Sequence, residues 1–180
     1  MEINWKFKAM VDKMSPQQRH RCMSKIRSVD TGPEIIVRQW IWREGFRYRL
    51  HVKSLPGTPD IVIRKLKTVI FINGCFWHGH IAGECYRPAK SNVEFWTSKI
   101  RRNHERDIQN YLRLKSEGWH VLVVWECQLT KKRRIDTLRA LSLKLGEILL
   151  ELNGAKQYAT EYKNNISLVA EPDEMYGNNR

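Results

Sequence analysis

No stretch of this 180-residue chain comes near the run of apolar residues that a membrane helix needs; about 18 in succession are required. The opening segment, MEINWKFKAMVDKM, also lacks the continuous apolar core and small-residue cleavage site of a secretory leader. Cysteine is scarce, with four in the whole chain, and a chain of this length can bury enough surface to need no disulfide staple. A cytoplasmic protein with reduced thiols is expected. There, cysteines near histidine point to metal or chemistry rather than crosslinks. Acidic residues are few as well. Asp and Glu number 19 against 32 Lys and Arg, a formal net charge of +13. That excess favours a polyanion, such as DNA, RNA or an anionic membrane surface. A basic soluble protein without any such partner has the same composition. Repeats and low-complexity blocks are missing too, and the length suits one domain able to bury its own core.

What is present alternates between two periods. Ser15-Pro16 reads as an N-cap and first helical residue, opening a basic helix over residues 16–27 that carries Arg19, Arg21, Lys25 and Arg27. Thr31-Gly-Pro-Glu34 has capping-box spacing. It begins a helix to about residue 44 whose apolar face is Ile36, Val37, Trp40 and Ile41, with Gly45 as its stop. Three strand-like runs follow, over residues 46–51, 60–64 and 68–73. A long helix is expected over 93–117, with Val93, Trp96, Ile100, Ile108 and Leu112 near a 3.6-residue period. A strand over 119–125 and a helix over 135–152 complete the pattern. The expectation is an α/β fold, a mixed central sheet flanked by helices. Residues 1–14 read as an extension, 15–154 as one domain, and 155–180 as a loosely held tail.

Cys75, His80 and Cys85 follow C-x4-H-x4-C, and Cys127 comes just after the last strand. Cys3His is a common closed, structural zinc set with no position left for substrate. Such a site would order a loop too small to order itself by apolar burial. The plainer reading is scattered reduced thiols. Cys22 stands apart, as a small packed residue.

Pro59-Asp60 opens a strand after a Gly/Pro turn, which fixes a carboxylate where Mg²⁺ keeping most of its waters could bind; a simple turn residue is the alternative. The following strand and loop, Val69-Ile-Phe-Ile-Asn-Gly-Cys-Phe-Trp-His-Gly-His80, resemble the very short patch repair (Vsr) endonucleases. So do Leu55-Pro-Gly-Thr-Pro-Asp60, Val124-Trp-Glu-Cys127, Phe95-Trp96, Lys99-Ile100, Asn103-His-Glu-Arg-Asp107 and the segment from Arg21-Cys-Met-Ser-Lys-Ile-Arg27 to Glu34. The resemblance spans residues 15–152 in order.

The resemblance implies a fold like the type II restriction endonucleases. It also implies a Mg²⁺-dependent nick 5′ to the mispaired T of a T·G mismatch left by 5-methylcytosine deamination. By the same likeness Asp60 would be the metal carboxylate, the Ile72 carbonyl a second metal ligand, and His78 the general acid–base. Glu34 would support the site by orienting His78 or a metal-bound water. Cys75, His80, Cys85 and Cys127 would hold structural Zn²⁺. Phe76, Trp77 and Trp96 would intercalate in the duplex, Trp96 being equally readable as core. Arg19, Arg21, Lys25, Arg27, Lys99, Arg102 and Asn103 would meet the DNA backbone. The implied partner is mismatched double-stranded DNA, with mismatch-repair proteins as further partners, for a monomeric bacterial cytoplasmic enzyme. The acidic-x-Lys triplet common in the wider nuclease fold is missing at Ile72-Asn73-Gly74, and no role is assigned to Asn73. A restriction-type nuclease cutting both strands and a non-catalytic zinc-stabilised DNA binder remain the rival readings.

Overall fold

The computed structural model describes residues 15, 17, 18, 21, 24, 29–80, 85, 87, 89 and 91–167. Most of the basic helix expected over 16–27, including Arg19, Lys25 and Arg27, lies outside them. At its start, Ser15 N–H donates to Gln18 Oε1 and Gln18 N–H donates to Ser15 Oγ, the reciprocal bonding of a capped helix start.

The described core is a four-stranded sheet in the order β1-β2-β3-β4, with β1 Arg49–Leu50, β2 Ile61–Ile63, β3 Thr68–Asn73 and β4 His120–Trp125. The first two pairings are antiparallel and β3 with β4 is parallel. The helices are α1 Gly32–Arg43, α2 Val93–Ser116 and α3 Arg134–Ser167. The fold is therefore mixed α/β, as expected. None of the described helices is long and apolar enough to cross a membrane.

β2 and β3 are short, β-branched and almost wholly buried, as strands covered on both faces must be. Val62, Val69, Phe71 and Leu114 form one buried cluster, with Tyr111 and Trp119 packed on it. Three details differ from expectation. The strand expected over 46–51 shrinks to the exposed pair Arg49–Leu50, and the left-handed backbone of His51 takes the chain out of the extended conformation right after it. α2 turns a different face inward: Ile100 and Leu114 are buried, while Ile108 and Leu112 are 45% and 62% exposed. Polar Asn103 and Asp107 are partly buried instead, for a reason given below. Finally, α3 does not stop at residue 152 but continues through Gly154; a single glycine lowers helix stability without ending it.

The chain divides into two compact units, Met1–Ser142 and Leu143–Arg180, the boundary falling within α3. In the first, Trp40 Nε1 donates to Ser142 Oγ at 2.8 Å. In the second, Leu145 and Ile148 are buried and Lys144 pairs with Glu147.

Candidate active site

Strand direction assembles the site. β2 runs against β3, with Ile61 opposite Ile70, so the start of β2 lies beside the end of β3. Asp60 therefore meets Ile72, whose backbone N–H donates to Asp60 Oδ2 at 2.7 Å. β4 runs parallel to β3, with Asn73 opposite Trp125, so the residues after both strands emerge at the same end. A cleft of about 1230 Å³ opens there, and Glu34, Asp60, Ile72, Asn73, Trp77 and His78 are among the residues lining it.

Asp60 is held mostly out of water. Burial pushes its carboxyl up to about 6, and the charge of Glu34 adds to the rise; the Ile72 amide, His51 and His78 pull the other way. A buried carboxylate without full compensation is one that a cation would stabilise. An acidic oxygen beside a strand-end carbonyl is also the hard-donor chemistry that Mg²⁺ accepts. The residues therefore fit such an ion.

Residues 74–80 form a tight loop after β3, with His78 N–H bonded to Gly74 O and His80 N–H to Cys75 O. Gly74 suits its place, since a Cβ there would stand 3.1 Å from Trp77 Cδ1. α2 holds this loop from one side. Asn103 Nδ2 donates to Trp77 O at 3.0 Å, and one turn later Asp107 Oδ2 makes a short hydrogen bond with His78 Nδ1. That explains the inward polar face of α2. With Nδ1 engaged by a carboxylate, proton exchange falls to Nε2. His78 is thus bonded to Asp107, while Glu34, expected to orient either His78 or a metal-bound water, is bonded to Asp30 and Thr31. Asp107 was visible in the Asn103–Asp107 motif, but only its position one turn after Asn103 hinted at a shared task.

Glu34 is 6% exposed. Its Oε2 accepts from Asp30 N–H at 3.0 Å and its Oε1 from the Thr31 hydroxyl at 2.7 Å. The expected capping box does not form, because the Thr31 hydroxyl donates to Glu34 and makes no cap bond to the helix backbone, and Glu34 takes the N–H of Asp30 and not that of the N-cap Thr31. Asn73, 4% exposed, donates through Nδ2 to Tyr111 Oη at 2.9 Å. Burial lifts the Tyr111 hydroxyl to about 12, so it stays protonated.

Beside the cleft, Phe76, Trp77 and Trp96 pack edge to face, with ring centres 5.2–5.8 Å apart. Phe95 extends the group and is 53% exposed. Lys99 Nζ lies 5.3 Å from the Trp96 ring centre and 5.8 Å from those of Trp77 and Phe95, within cation–π reach. Arg21 and Arg102 are exposed.

On the other side of the loop, Cys75, His80, Cys85 and Cys127 bring one ligand atom each to within 4.8 Å of one another. His80 Nδ1 lies 3.7, 3.1 and 3.4 Å from the sulfurs of Cys75, Cys85 and Cys127. One ring nitrogen cannot bond three thiols at once, so this convergence has the form of a coordination shell. A tetrahedral ion of zinc's size separates sulfur and nitrogen ligands by about 3.5 Å, and the donors fit it. Burial raises the thiols of Cys75, to about 12, and Cys127, and lowers His80. A neutral imidazole is what a metal needs, and the metal's charge would supply what the thiolates lack. His80 also stacks on Trp125, 4.0 Å between centres and 6° from parallel, which fixes its ring.

Residues 11–87 match the model of the family described as DNA mismatch endonuclease Vsr. The chain is 44% identical to the Type II nicking enzyme V.XorIIP of Xanthomonas oryzae pv. oryzae, over 78% of this chain and 98% of that protein. It is 48% identical to the Type II nicking enzyme V.NmeAIP of Neisseria meningitidis serogroup A, over 68% and 87%. With the DNA mismatch endonuclease Vsr of Escherichia coli (strain K12) it shares 36% identity over 84% and 96%. A match of this extent to whole relatives shows that the chain belongs to the Vsr family of DNA endonucleases.

Proposed function

We propose that this endonuclease nicks one strand of duplex DNA on the 5′ side of the mispaired T in a T·G mismatch, using Mg²⁺. The observation that carries the reading is the convergence of Asp60, the end of β3 and the His78–Asp107 pair in one cleft flanked by aromatic rings. Two relatives are named as nicking enzymes and one as a mismatch endonuclease, which favours nicking over cutting both strands.

Asp60 and the Ile72 carbonyl would hold the Mg²⁺, which supplies charge neutralisation at the phosphate and a more acidic bound water. His78 exchanges a proton through Nε2, with the attacking water or the leaving oxygen, while Asp107 keeps the ring in one tautomer and stabilises its cationic form. Glu34, held by Thr31 and the Asp30 amide, adds a second carboxylate on the Asp60 side of the cleft. Phe76, Trp77 and Trp96 would enter the stack at the mismatch, which is easier to open than a paired step. Arg21, Lys99 and Arg102 would meet phosphates. Asn103 acts on DNA through the loop it clamps. Zn²⁺ on Cys75, His80, Cys85 and Cys127 would anchor that loop, and the protein should carry about one equivalent per chain.

The test uses two duplexes that differ only in one T·G pair within a CC(A/T)GG-like context, incubated with Mg²⁺. Nicking of the T strand alone is expected. Cleavage of both strands of the paired duplex would overturn the reading, as would binding with no cleavage at all.

A further inference from the structure

His51 belongs to no role assigned so far, yet it stands between the two carboxylates on one side of the cleft. It follows β1, and the Leu50–Ile61 register puts it across from Asp60, with His51 N–H donating to Asp60 O at 3.3 Å. Its imidazole turns one nitrogen toward each acid: Nε2 lies 3.6 Å from Glu34 Oε2 and Nδ1 3.9 Å from Asp60 Oδ1. Nε2 is buried and lacks a hydrogen-bond partner within normal distance. The backbone is unusual as well, with φ 44 in the left-handed region, which few residues other than glycine adopt. A left-handed residue that places its ring between two acids in a cleft is where function is to be sought.

We propose that His51 is a positioning residue that spaces and orients the carboxylates of Glu34 and Asp60 so that both can face one divalent cation. This rests on the reading of Asp60 as a metal carboxylate. The charge of Glu34 is felt at Asp60, and two such acids repel when both are ionised, so the group between them bears on how they face a common cation. The ring sits between them as a rigid spacer, its nitrogens 3.6 and 3.9 Å from the two acids and so beyond direct hydrogen-bond length, with one N–H to offer an acid that closes in. Glu34 is already fixed from the other side by Asp30 and Thr31, and Asp60 by Ile72. His51 closes the chain between them. Residues that orient ligands in this way change metal affinity strongly when removed.

The experiment measures Mn²⁺ binding to the zinc-loaded full chain by electron paramagnetic resonance, together with thermal melting of the protein without Mn²⁺. His51→Ala should weaken Mn²⁺ binding about tenfold or more. His51→Gln keeps an N–H donor near the place of Nε2 and should recover affinity to within about threefold of wild type. His51→Gly relieves the left-handed backbone, so its melting temperature should match or exceed wild type while Mn²⁺ binding stays as weak as in His51→Ala. Wild-type Mn²⁺ affinity in His51→Ala, or equal weakness in the Ala and Gln variants, overturns the proposal. Asp60→Asn separates the two layers. If it binds Mn²⁺ normally, the reading of Asp60 as a metal carboxylate fails; if it loses Mn²⁺ while His51→Ala keeps it, only the role of His51 fails.

Discussion

The two faces of the 74–80 loop hold opposite kinds of site. On one face, four soft donors close on a common centre within 4.8 Å, and the ring among them is stacked flat on Trp125. On the other, oxygen donors line an open cleft, one carboxyl is pushed up to about 6 by burial, and His51 has a left-handed backbone. A closed shell has no position for a reactant and serves stability. An open, under-compensated one costs stability and keeps positions free for water and substrate. In the proposed function, the loop that joins them would let the first site hold the second in place.

Denying the thiol cluster its proposed Zn²⁺ is the severest way to break this contrast. Chelation, or Cys127→Ser, should cost several kcal/mol and lower the melting temperature by on the order of 10 °C. Because the loop carries His78, nicking should vanish with it; retained activity in metal-stripped, folded protein would show that the faces are independent. Next in size is His78→Ala, expected to slow nicking by about 10²–10⁴-fold with the thiol-bound metal and melting temperature intact. Single-turnover nicking and a zinc assay on the same sample check both halves.

Asp60→Asn should show the cost of the open site directly. A folded-state pKa raised above the ordinary carboxylate value means that folding favours the protonated form. The stability due to this group is then fully present below the ordinary value and is lost as pH rises through about 6. At pH 7.5, without divalent metal, the Asn variant should be more stable than wild type, by about 3 kcal/mol at most. The gain should shrink as pH falls below about 6, and denaturant melts at pH 5 and 7.5 test it. The smallest effect belongs to Asp107→Asn, which leaves His78 in place with an altered partner. Nicking should slow about tenfold and its pH profile should shift, because an amide does not stabilise the imidazolium; an unchanged profile would remove Asp107 from the proton path.

The sequence carried the sheet well where hydrophobic runs were short and β-branched. β2 and β3 lie within a residue or two of their expected bounds. The cluster was legible from spacing as a candidate metal set, with scattered reduced thiols as the alternative, since Cys75, His80 and Cys85 fall in one segment and Cys127 follows a strand that the sheet brings alongside. Long-range pairs were not. Nothing local links His78 to Asp107 or Asn73 to Tyr111, because 29 and 38 residues separate them. The face of α2 was misjudged for the same reason: periodicity counts Ile108 and Leu112 as inward, and only the cleft explains why Asn103 and Asp107 take their place. His51 looked like the last residue of an alternating strand, while its role depends on a backbone angle that no pattern reveals.

The grip of α2 on the loop has a mechanical corollary. Asn103 and Asp107 are four residues apart on one rigid cylinder, and they seize adjacent residues, Trp77 and His78. Four residues of helix advance about 6 Å, so the lever that would pry the bases apart and the blade that would sever the strand are bolted to one bar. In the proposed reaction the offset between lesion and break becomes a fixed length of the protein, insensitive to how the DNA flexes around it.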